Sequence, residues 1–125
     1  MSTERLGKLG FSEISLGDLI GLAKTEIDAL PFGVVGLSQE GMVEVYNFSE
    51  ATLAGIQAES VLGTHFFLST AQCMNNFMVA QRLEDEPELD TIIDYVLTFR
   101  MRPTPVRIRL LKSPESHRSY LLIQR

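Results

Sequence analysis

Three side chains in this sequence have the chemistry to manage a proton or a covalent bond: Tyr46, Glu50 and Cys73. Tyr46 and Glu50 stand four residues apart in VEVYNFSEA, residues 43–51, where a strand-like run gives way to a helix-forming one. A phenol titrates near about 10, so Tyr46 is a hydrogen-bond donor at neutral pH. A carboxyl donates only if burial keeps it protonated. A plainer role competes. Asn47 and Glu50 have the N-cap and N3 spacing of a capping box, and an acid in the first turn complements the helix dipole. Strand alternation also groups Tyr46 with Glu44, which predicts an outward tyrosine.

Cys73 is the lone cysteine, which excludes an internal disulfide and a cysteine-rich metal site. It precedes a helix expected over 74–83, whose amide N–H groups favour a thiolate; inert core packing is the other reading. No base is paired with it in the sequence, so turnover by a cysteine nucleophile, and enzyme activity generally, is unsupported. His65 and His117 show no metal-ligand spacing, and no metal is expected.

The elements that must position these groups follow from periodicity. Leu16, Leu19, Ile20, Ala23, Ile27 and Leu30 fall at helical spacing, with Ser15 and Asp18 able to cap the start and Pro31 marking the end. One interruption fits within 15–30. Residues 33–47 read as a hairpin turning at Gln39-Glu40-Gly41. Residues 48–55 form a helix stopped by Gly55, and 60–69 a short helix with a connector broken at Gly63. The acidic run LEDEPELD, 83–90, reads as a solvated turn. Residues 91–101, 106–112 and 119–124 are strands rich in β-branched and aromatic residues. The pattern predicts an α+β domain with a five-stranded antiparallel sheet and helices on one side.

The 125 residues fit one domain with its own core. The hydrophobic fraction, 45%, is that of a soluble globule, and the net charge of −5 disfavours nucleic acid and anionic membrane. Arg100, Arg102, Arg107, Arg109 and Lys112 alternate with apolar residues and read as a solvated sheet face. No stretch has the length of a membrane helix or the apolar core of a signal peptide, so a cytoplasmic location is expected.

Taken in order, these motifs resemble the photoactive yellow protein family, the light-sensing branch of the PAS domains. ALPFGVVGLSQEGMVEVYNFSEA is similar to that family's opening hairpin and its tyrosine–asparagine–glutamate turn. VLGTHFF followed by AQC is similar to the approach to its chromophore cysteine, and DYVLTFRMRPT to its late strand and loop. The likeness runs from about Phe11 to Arg125. It implies a single PAS domain over 1–125, with 1–30 as an N-terminal helical cap and a central five-stranded antiparallel sheet flanked by short helices.

The resemblance also implies a function: a blue-light photoreceptor carrying 4-hydroxycinnamic acid (p-coumaric acid) as a thioester on Cys73. Tyr46 and a protonated Glu50 would hold the buried phenolate. Isomerisation would then drive proton transfer from Glu50 and signalling to a downstream protein. Met101 would assist thermal return. By residue type, Phe66, Phe67, Leu97 and Phe99 fit the dry walls of such a pocket and fit plain core packing equally well, since walls and core are the same surface. Departures from the family pattern are specific. Ala54 stands where a threonine usually bonds the tyrosine. Ile56 stands where an arginine lids the pocket. Gln72 replaces a proline, and Phe99 a tyrosine. The substitutions at Ala54, Ile56 and Phe99 favour the alternative, a PAS signalling or interaction module that no longer binds chromophore covalently. The retained Tyr46, Glu50 and Cys73 favour the photoreceptor.

Overall fold

A computed structural model describes residues 10–98 and 102–125. Phe99 and Met101 lie outside the described residues. Five strands form one antiparallel sheet: β1 (Gly33–Leu37), β2 (Val43–Tyr46), β3 (Leu89–Leu97), β4 (Thr104–Lys112) and β5 (Ser119–Gln124), in the spatial order β2-β1-β5-β4-β3. The two halves of the chain therefore meet where β1 pairs with β5, Gly33 opposite Ile123. The helices are α1 (Leu16–Gly21), α2 (Lys24–Asp28), α3 (Phe48–Ala54), α4 (Ala58–Val61) and α5 (Ala80–Asp85). A π-helical turn at Phe66–Thr70 and a 3-10 turn at Gln72–Met74 lie between α4 and α5.

Local chemistry accounts for the boundaries. Ser15 Oγ accepts from the Asp18 amide and Asp18 returns the bond to the Ser15 amide, each at 3.0 Å, so the capping box expected there starts α1. The interruption falls at Leu22 and Ala23, and Glu26 restarts the helix by accepting from the Ala23 amide at 2.9 Å. Gly41 takes a positive φ of 85° in the β1–β2 turn, the position expected of a glycine there.

The sheet is covered on both faces, where the sequence pattern predicted helices on one. One face of β1 and β5 (Val35, Leu121, Ile123) packs with Phe66, Met74 and Val79. The opposite face (Val34, Tyr120, Leu122) packs with Phe11, Ile14, Leu19 and Ile27 of the N-terminal cap. Alternation alone does not show this, because a strand buried on both sides is apolar throughout.

The cap also changes the reading of the basic strand. Arg109 is only 4% exposed, not on a solvated face. Its Nη1 donates to the carbonyls of Phe11 at 2.9 Å and Ile14 at 2.5 Å, while Nε and Nη2 grip Asp90 at 2.9 and 3.1 Å. Asp90 belongs to β3, so the acidic run 83–90 divides among α5, a short turn and the start of a strand. The Arg107 guanidinium lies 5.6 Å from the centre of the Phe11 ring.

Candidate functional site

The corner between β2 and α3 is built around Asn47, which is 1% exposed. Its Oδ1 accepts from the amides of Val34 (2.8 Å) and Glu50 (3.1 Å), and its Nδ2 donates to the carbonyls of Ile27 and Phe32, each at 3.0 Å. One side chain thus caps α3 and ties it to β1 and the cap. Half of the expected capping box forms. The Glu50 carboxyl does not return to the Asn47 amide, which donates instead to the Val34 carbonyl at 3.0 Å.

Tyr46 faces inward, 6% exposed, against the outward placement that alternation predicts. A β-bulge is the reason. Val43 pairs with Leu37 and Val45 with Gly36, leaving Glu44 as an extra residue in β2. The extra residue reverses the parity beyond it, so Tyr46 joins Val43 on the same core face.

Glu50 is 2% exposed, and its two carboxyl oxygens meet Arg125 Nη1 at 2.7 Å and Nη2 at 3.1 Å. Arg125 reaches it from the far end of β5, which lies beside the start of β1. There a side chain at Gly33 would collide with the Glu50 carboxyl, so glycine makes room for the acid. Burial pushes the Glu50 carboxyl above its ordinary range, and the hydrogen bonds and charge of Arg125 pull it back. Burial raises the Tyr46 phenol further above its usual value; Glu50 adds to that rise and Arg125 opposes it. Tyr46 is therefore a neutral donor, and its hydroxyl has no hydrogen-bond partner among the described residues.

Cys73 is half-buried in the 3-10 turn and packs against the same apolar cluster as Tyr46, Phe66, Phe67 and Leu97. Its carbonyl accepts from the Tyr95 hydroxyl at 2.6 Å and from Asn76 Nδ2 at 3.2 Å. Asn76 Oδ1 also takes the amides of Met78 and Val79. Those bonds compete with helix, so α5 begins at Ala80 and not near 74. The helix dipole expected beside the thiol is therefore displaced along the chain. Ile56 packs against the cluster, and Ala54 is buried on α3 with Glu50.

The structure thus places Tyr46, Phe66, Phe67, Leu97, Ile56 and Cys73 around one cluster, with Glu50 at the β2–α3 corner. Sequence reasoning missed Arg125. Its signal is readable only once β5 is registered beside β1. A separate cleft of about 620 Å³ opens between the 38–41 turn, α5 and the 113–118 turn. Phe67 lines it, together with His65 and His117, whereas Tyr46, Glu50 and Cys73 do not. Among the described residues no His, Cys, Asp and Glu cluster could hold a metal, and no helix is long and apolar enough to cross a membrane.

The five-stranded antiparallel sheet with its flanking short helices is a PAS fold. No family model matches the chain. The photoactive yellow protein domain of the sensor histidine kinase Ppr from Rhodospirillum centenum superposes with a TM-score of 0.80 at 31% identity, covering 87% of this chain and 98% of that one. Photoactive yellow protein of Halochromatium salexigens is 26% identical over 110 residues, 86% of this chain and 88% of that protein. The same protein of Rhodothalassium salexigens is 25% identical over 107 residues, 83% and 86% of the two chains. This chain belongs to the photoactive yellow protein family.

Proposed function

We propose that the chain is a blue-light sensor in which Cys73 carries p-coumaric acid as a thioester and the Tyr46–Glu50 corner receives its phenolic oxygen. The observation that carries this reading is the joint burial of Tyr46 and Glu50 at the edge of the apolar cluster against which Cys73 packs. When bound, the group supplies a light-isomerisable double bond conjugated to a titratable phenol. The chain supplies the rest. Tyr46 donates a hydrogen bond from a hydroxyl kept neutral by burial. Glu50 would hold or release a proton beside the phenolic oxygen. Phe66, Phe67 and Leu97 exclude water, which strengthens both contacts. Phe99 and Met101 complete the proposed lining by sequence position. Ile56 offers apolar closure where the family uses arginine.

The function is binding and signalling, not catalysis. The proposed unit is one domain over 1–125, with 1–30 as its cap. It acts in the cytoplasm and passes its signal by contact to another protein; the kinase context of the Rhodospirillum centenum domain is in keeping with such an output.

Purified protein treated with an activated ester of p-coumaric acid should turn yellow and bleach reversibly in blue light. In that reaction the Cys73 thiol loses its proton, the sulfur–acyl bond forms and the activating group departs. Cys73→Ala should remain colourless. A natural chain that gains neither a visible nor a near-ultraviolet chromophore band under the same treatment returns the assignment to a PAS module with a noncovalent ligand, a reading favoured by a cleft that Cys73 does not line.

A further inference from the structure

By the family resemblance, the pocket lacks one cation, with Ile56 standing where an arginine is expected. The structure supplies another from a different element. Arg125 grips both oxygens of Glu50 in a planar fork, with the acid 2% and the arginine side chain 16% exposed. A fork of this kind matches a carboxylate, because two N–H groups need two accepting oxygens. Resting on the reading of this corner as a phenol site, we propose that Arg125 is a positioning residue that decides where the site's proton sits. Its hold favours a carboxylate on Glu50 and therefore a phenolic ligand that keeps its own proton.

The charge balance defines two arrangements. In one, Arg125 is cationic, Glu50 anionic and the ligand a neutral phenol donating to Glu50. In the other, that proton has passed from the phenol oxygen to Glu50, leaving a phenolate held by Tyr46 and the neutral acid. Atoms and net charge are the same in both. Arg125 gives both of its fork hydrogen bonds to Glu50, so it stabilises negative charge on the carboxylate side. The ionisable groups acting on Glu50 are Arg125, at the end of β5, and Tyr46, at the end of β2; β1 presents only the backbone of Gly33 there, and the α3 turn presents the neutral Asn47 amide. Loosening the fork leaves the burial of Glu50 unopposed, and burial favours its protonated form.

The test begins without chromophore. Carbon-13 NMR of carboxyl-labelled glutamate, with Glu50 assigned by loss of its signal in Glu50→Gln, follows its titration directly. Glu50 should be ionised at neutral pH in the natural chain. In Arg125→Gln its protonation constant should rise about tenfold or more, equivalent to one pH unit. Arg125→Lys, which keeps the charge but not the fork, should fall between. It also serves as the second variant if Arg125→Gln does not fold. In chromophore-loaded protein, the natural chain should show a near-ultraviolet neutral-phenol band beside the blue band, and Arg125→Gln should convert the first into the second. A Glu50 titration unchanged by both substitutions, or an unchanged band ratio, overturns the proposal. Failure to acquire either band counts against the chromophore reading and leaves the chromophore-free titration to decide the role of Arg125.

Discussion

At the residue scale, burial and pairing act on Glu50 in opposite directions. Its carboxyl titrates above the ordinary 4.5 because desolvation outweighs the help from Arg125. The folded chain then binds more protons than the unfolded chain between 4.5 and the raised value. The stabilising contribution is complete below 4.5 and is lost as pH rises through the folded value. Urea unfolding of chromophore-free protein across that window should show stability falling with pH relative to Glu50→Gln, whose amide does not titrate. Parallel curves for the two proteins would mean that Glu50 titrates normally. Type and spacing made Tyr46, Glu50 and Cys73 visible as candidates, and family resemblance ordered them. Arg125 was illegible, because its partner lies seventy-five positions earlier and meets it only through the β1–β5 pairing.

At the element scale, the β2–α3 corner depends on one amide. Asn47 makes four buried hydrogen bonds, to Val34, Glu50, Ile27 and Phe32. Asn47→Ala leaves two carbonyls and two amides to find new partners inside the protein. Loss of an N-cap alone costs about 1 kcal/mol, and buried groups left unsatisfied cost about 1–3 kcal/mol each. Partial relaxation sets the expected loss at about 2–4 kcal/mol, read from the denaturation midpoint at constant slope. Asn47→Asp keeps the two acceptor contacts but not the donated ones, so it should recover part of the loss. An Asn47→Ala protein as stable as the natural chain would show that the four bonds are dispensable. The cap at Asn47 was legible from spacing. The inward turn of Tyr46 was not, since alternation carries no sign of the extra residue Glu44 until the strands are paired. The helix expected over 74–83 failed for a similar reason: Asn76 finds Tyr95 nineteen positions away, and that contact, together with its grip on the following amides, stabilises a loop.

At the scale of the whole molecule, the sheet separates the Cys73 side from the N-terminal cap, and the contacts of Asn47 and Arg109 are among those that cross or border that division. Asn47 joins the candidate site to the cap through the Ile27 carbonyl. Arg109 fastens the start of the cap to β4 through the carbonyls of Phe11 and Ile14, with Asp90 steadying its guanidinium. Asn47 bonds both the Glu50 amide and the Ile27 carbonyl, so under the proposed photochemistry residues 10–30 are the segment expected to open. Small peripheral units of this kind open at lower free energy than the central strands. Hydrogen exchange in chromophore-loaded protein should therefore quicken in α1 and α2 on illumination, while β4 and β5 keep their protection. Arg109→Ala should quicken exchange in 10–30 already in the dark, at an overall cost of about 1–3 kcal/mol, because the freed Asp90 is solvent-exposed and leaves no buried charge. If light leaves cap exchange unchanged in the natural chain although the colour bleaches, the signal departs through another surface. If Arg109→Ala loosens β4 and β5 equally, the cap is not a separable unit but part of the cooperative core.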